Sequence, residues 1–194
     1  MTNMNQWHVA TAAEAIAAAQ FARCGWDVSV QYGANQPEYD LVVVKKSLIL
    51  KVSVKGSQDG GWGLTQSHMK DRNYHRAADL WLAKHTSDTV MCFVQFMGVP
   101  IDNLPNVYLA RPSAVAESLK AAAAGRGDTI LNENHTWTNR AHAAGTTDRI
   151  PDEWRFSNEL AEMLAKKMPN PSIYTGLQPA LPTVETTSTL PPPP

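Results

Sequence analysis

The stretch from Glu38 to Lys55 constrains the fold of this chain most. Tyr39 to Val44 and Leu48 to Val54 are two short runs rich in β-branched and apolar residues, joined by the polar triplet Lys45-Lys46-Ser47. Such runs around a tight polar turn predict a β-hairpin. In the second run Leu48, Leu50, Val52 and Val54 share one face. Ile49, Lys51, Ser53 and Lys55 share the other, because strand side chains repeat every two residues. Asp40 opens the first strand, and Ser53-Val54-Lys55 closes the second.

Each of these polar residues has a plain use and a chemical one. An aspartate at a strand start often serves a turn or cap. Inside an apolar run it is costly to bury without a partner, and a cation would supply one. Lys55 can snorkel from an exposed strand end, or it can belong to a site at a strand terminus, where Gly56-Ser57 follow. Lys51 points the same way as Lys55, which fits either a solvated face or a basic one.

Residues 9–24 predict the clearest helix. Thr11-Ala12-Ala13-Glu14 has the spacing of a capping box, alanines fill the body, and Gly25 stands at the C-terminal cap position. Glu14 shares a helical face with Ala17, Ala18 and Phe21, which places an acid at the edge of a core-facing stripe. It is either the reciprocal partner of the capping box or an acid turned toward a site, and the two roles are compatible.

Trp26 to Gln31 alternates as a first strand, and a Gly-Asn-Pro loop from Tyr32 to Pro37 leads to the hairpin. After it, Gly56 to Gly63 reads as a flexible loop. Its Trp62 can stack on a nucleic-acid base or on the core. The lysine precedes the glycines and no GKS or GKT follows, so this is not a phosphate-binding P-loop. Between His68 and Arg76 the chain turns basic. Lys70, Arg72 and Arg76 are suited to phosphates or to a solvated surface, with Tyr74 interleaved and Asp71 opposing.

Asp79 to Leu82 and Val90 to Phe96 are expected to continue the sheet, the second as a strand buried on both faces. Val107 to Ala110 is a further strand. Ser113 to Ala124 is a helix, Thr129 to Leu131 an edge strand, and Ser157 caps a last helix to about Lys167. Asn132 to Ile150 is polar and carries no assignable period. The expected organisation is one domain over residues 1–168 and a proline-rich extended or disordered tail over 169–194.

Composition narrows the functions available. The 194 residues are 43% hydrophobic and 18% charged, enough for an ordinary core. A net charge of −1 gives no global attraction to nucleic acid or anionic membrane, so any nucleic-acid contact must come from a local patch. The two cysteines, Cys24 and Cys92, have neither disulfide-scaffold nor zinc-site spacing. No apolar run approaches the ~18 residues a membrane span needs, and no basic-then-apolar leader opens the chain. The expectation is a cytoplasmic protein with no membrane contact.

An aspartate on one hairpin strand and an acid-x-lysine on the next resembles the core of the PD-(D/E)XK nuclease superfamily. Asp40 falls on the aspartate and Lys55 on the lysine, while Ser53 stands where the family usually has an acid. The resemblance implies an α/β fold of the restriction-endonuclease-like type, a mixed central sheet flanked by helices. It implies a metal-dependent DNA endonuclease, of Holliday-junction-resolvase-like or homing style. Asp40, Glu14 and the Val54 carbonyl would hold Mg2+, or Mn2+ in its place. Ser53 would occupy the second acid's position, and Lys55 would orient water or stabilise the phosphorus. Lys51, Trp62, Lys70, Arg72 and Arg76 would meet DNA. A homodimer, cutting two strands with two sites, is also compatible with it. The neutral Ser53 weakens a magnesium site, which Glu38 or Asp59 could offset from neighbouring loops. It favours the alternative of a catalytically inactive nuclease-like domain that binds nucleic acid or a partner.

Overall fold

The computed structural model describes residues 4–31, 38–139 and 142–167. The Tyr32–Pro37 loop and the tail expected from residue 169 lie outside them.

Helix α1 (Gln6–Arg23) is followed by β1 (Asp27–Val30), β2 (Leu41–Lys45) and β3 (Leu48–Ser57). Then come β4 (Gly61–Gly63), α2 (Tyr74–Leu82), β5 (Thr89–Gln95), β6 (Asn106–Ala110) and α3 (Pro112–Ala121). The chain continues through β7 (Ile130–Asn132), β8 (Asn134–Thr136), β9 (Thr147–Arg149) and α4 (Asn158–Ala165). The central sheet has five strands in the order β1-β2-β3-β5-β6; β3 and β5 run parallel and the other neighbours antiparallel. It is therefore a mixed sheet in an α/β fold.

The alternation read in the sequence sets its two faces. Leu50, Val52 and Val54 of β3 pack with Val90, Cys92 and Val94 of β5 beneath α1 and α4. Met91 and Phe93 point the other way, into a second core with Trp81 of α2 and with Val115 and Leu119 of α3. Thus β5 is buried on both sides, as its unbroken apolar run requires. The hairpin turn is two residues long, with Lys46 at a φ of 56°.

Several expectations change. Helix α1 starts earlier than residue 9: the side chain of Asn5 caps it by accepting from the His8 N–H at 2.9 Å. Thr11 and Glu14 therefore lie in the helix body and form no capping box. Asp79 to Leu82 is not a strand but the end of α2. Asn73 caps that helix, and Ala77, Ala78 and Trp81 form its buried stripe. The helix expected from Ser113 begins at Pro112, which needs no N–H at a first helical position, and ends near Ala121. Residues 130–132 pair with β4 in a separate two-stranded ribbon, not at the edge of the main sheet. Within the unassigned polar stretch β8 and β9 pair, and the indole N–H of Trp137 donates to Asp148 Oδ2 at 2.7 Å. The Ser157 cap of α4 is present, accepting from the Leu160 N–H.

Gly56 to Gly63 is no loose loop. Strand β3 runs to Ser57, the Gln95 amide donates to Ser57 Oγ at 3.2 Å, and the Gln58 amide donates to the Met4 carbonyl at 2.6 Å. At Gly56 the helix comes very close: an added Cβ would stand 2.8 Å from Val9 Cγ1 and 2.9 Å from Ala13 Cβ. Gly56→Ala is expected to cost about 1–3 kcal/mol of stability in urea unfolding, the usual penalty of overpacking. An unchanged midpoint would mean α1 can slide away freely.

Candidate active site

Asp40 stands where β2 begins. Its backbone N–H donates to the Val52 carbonyl at 2.8 Å, and its Oδ2 accepts from the Val54 N–H at 2.6 Å. Val54 lies beyond the last β2 partner, so the carboxylate takes up an amide that the ladder leaves open on that side. The strand-start use of Asp40 is thus real. Among the described residues its other oxygen accepts no hydrogen bond.

Glu14, Asp40, Val54 and Lys55 line one cavity of about 420 Å³, together with Gln58 and Asp59. Burial, and then the negative charge of Asp40, pushes the Glu14 carboxyl above the usual glutamate range, while the Lys55 ammonium pulls it back. Helix α1, the start of β2 and the later part of β3 therefore bring Asp40 and Lys55 near enough to act on the charge of Glu14. The Lys55 carbonyl accepts the indole N–H of Trp62 at 2.9 Å, which fixes the strand end that presents the lysine.

Other expected site residues lie elsewhere. Ser53 is 2% exposed, paired with Met91 in the sheet interior, and does not line the cavity. Its expected place at the second acid's position of the site is lost because its side chain shares the sheet face of Met91, which is buried in the second core. Trp62 is also 2% exposed; its ring packs 5.2 Å from Phe93 and 6.3 Å from Tyr108, so its stacking is with the second core. The Lys51 ammonium sits 5.5 Å from the Tyr39 ring, away from the cavity. Lys70 and Arg72 are exposed, and Arg76 is exposed but paired with Asp71 at 2.8 Å.

Of the two acids that could replace the missing one, Glu38 is occupied. Its Oε1 accepts from Thr89 Oγ1 at 2.6 Å and from Thr86 Oγ1 at 2.9 Å. Its carboxyl stays below the usual range: burial opposes that, and the threonine hydrogen bonds prevail. Asp59 does line the cavity, where Oδ1 accepts from Ser57 Oγ at 2.9 Å. No signal in the sequence separated these two acids, since both flank the hairpin at similar range.

Among the described residues no three His, Cys, Asp or Glu side chains form a group able to hold a metal ion. Magnesium does not require one: it often takes one or two carboxylates and completes its sphere with water and substrate phosphate. Two carboxylates whose charges oppose each other fit that mode, because a cation would relieve both burial and repulsion. Among the described residues, no helix is long and apolar enough to cross a membrane.

The raised Glu14 carboxyl has a pH signature. Such a group favours folding while protonated, below its unfolded value of about 4.3, and loses that contribution as pH rises through its folded value. Glu14→Gln is expected to melt higher than wild type near pH 7, with the gain vanishing below about pH 4. Equal melting temperatures near neutrality would contradict a carboxyl raised by burial and by the charge of Asp40.

No protein-family model, no curated protein and no solved structure matches this chain.

Proposed function

We propose that this protein is a metal-dependent DNA endonuclease of the restriction-endonuclease-like kind, with its centre in the cavity of Glu14, Asp40 and Lys55. The observation that carries the reading is the acid pair beside a lysine at the point where β2 and β3 part. Asp40 and Glu14 would hold Mg2+ or Mn2+, with the Val54 carbonyl as a backbone ligand. The ion supplies a Lewis acid for the phosphate and a more acidic bound water.

The chain's own groups do the rest. The Val54 N–H fixes one Asp40 oxygen and so sets where the other faces. Lys55, exposed at the cavity wall, places a positive charge against the phosphate as negative charge grows on its oxygens. Trp62 is a positioning residue acting through the Lys55 backbone. A cytoplasmic setting, proposed with it, accords with Cys24 and Cys92 being free thiols.

A second reading has one observation in its favour. Ser53 leaves the cavity without the acid that the resemblance would place two residues before the lysine, which suits a nuclease-like domain that binds nucleic acid without cutting it.

Supercoiled plasmid, single-stranded DNA and a four-way junction separate the two. With magnesium or manganese, wild type is expected to cleave at least one of them. Asp40→Asn and Lys55→Ala are expected to lose about a hundredfold or more in rate, the scale of a removed charge-stabilising group. Cleavage that survives both substitutions would sink this centre. Salt-sensitive binding without cleavage by wild type would favour the second reading.

A further inference from the structure

The ribbon of β4 and β7 contributes to the Glu14–Asp40 cavity and to a second one. Gly61 and Gly63 line the one with Glu14 and Asp40. Gln66, Ile130 and Asn132 line a second, of about 460 Å³. Lining residues of the two are in close contact: a Cβ on Gly61 would lie 2.7 Å from Ile130 Cγ2, and one on Gly63 would collide with the Gln66 amide. The second cavity is within the ~300–1,000 Å³ range of ligand sites.

Its lining is aromatic and amide-rich. Tyr74, His135 and Trp137 contribute rings, and the His135 and Trp137 rings meet edge to face with centroids 4.4 Å apart. Hydrogen bonding to Asp148 fixes the Trp137 indole, so this aromatic wall is preformed. Gln66 and Asn132 offer both donors and acceptors, as base edges require.

Charge is arranged in the same sense. The wall includes the buried Asp128, a carboxylate that disfavours phosphate inside. Cations lie on a neighbouring segment: Lys70 and Arg72 are exposed between Met69 and Tyr74, which both line the cavity. The Arg126 guanidinium lies 5.9 Å from the Tyr74 ring centroid. An aromatic, amide-bearing interior with cations on a neighbouring segment matches a base inside and its backbone outside.

We infer that this second cavity holds one unpaired nucleobase of the strand whose phosphate enters the Glu14–Asp40 cavity. The inference rests on the reading of that neighbouring cavity as a nucleic-acid site. It assigns Gln66, Asn132 and His135 to base contact, and Lys70, Arg72 and Arg126 to the flanking phosphates. In this arrangement Lys70 and Arg72, expected as DNA contacts, would meet phosphates, and His135 takes the place of Trp62 as the aromatic contact.

Labelled single-stranded oligodeoxynucleotides, intact or with one abasic residue at each position in turn, test it. They are titrated at low salt with wild type, His135→Ala and Gln66→Ala, then given magnesium to map any cut. Gln66 and His135 are both exposed, so these variants are expected to melt as wild type does. An abasic residue at one fixed position should weaken wild-type binding about fivefold or more, the scale of one lost stacking contact. His135→Ala should bind the intact strand about as weakly and lose little more at that position. Cleavage with no base-dependent position, or variants that keep the full wild-type abasic loss, overturns the base site and leaves the endonuclease reading standing. Base-dependent binding without cleavage does the reverse. No binding of any strand overturns both.

Discussion

The close contact of α1 with β3 is the constraint on which the rest depends. Val9 and Ala13 sit directly over Gly56, where not even a methyl group fits. Small residues on both partners let the helix approach the sheet more closely than large side chains would permit. Glu14 follows Ala13, so the contact that seals one core also sets an acid beside the open end of the hairpin. Strand β3 then links everything else, pairing with β2 on one side and with the doubly buried β5 on the other.

Several groups in the cavity serve the fold and the site at once. Asp40 closes the ladder through the Val54 amide, and that bond also orients it. Trp62 joins the second core and holds the Lys55 carbonyl. Glu38 shows the opposite outcome: threonine hydroxyls satisfy it, and it is lost to the cavity although it is two residues from Asp40. What is left is a small set of charges, two carboxylates in electrostatic contact and one lysine, with Asp59 on the same wall. Half-buried like charges of this kind are what a bound cation would relieve.

The hairpin, β5 and α4 were legible because their signals are strong: period-two alternation, an unbroken apolar run, and a serine cap before an amphipathic stripe. Helix α2 was not. It is nine residues long, and its Leu80-Trp81-Leu82 end imitates a strand when taken alone. The β4–β7 ribbon was hidden for another reason. Gly-Trp-Gly has no periodicity, and it becomes a strand through pairing with residues 130–132, far along the chain. At the site, Asp40 and Lys55 stood out as charges bounding apolar runs. Alternation correctly put Ser53 and Lys55 on one face, yet it could not reveal that the first is buried while the second, two residues before β3 ends, is exposed. The second cavity draws on four separate elements of chain, so no local pattern announced it.

A crystal soaked in manganese tests the central claim most directly, because anomalous scattering locates the ion independently of any activity. The account predicts a peak bounded by the Glu14 and Asp40 carboxylates, beside the Val54 carbonyl, that disappears in Asp40→Asn. Manganese found only elsewhere, or no peak with both carboxylates well ordered, would contradict it.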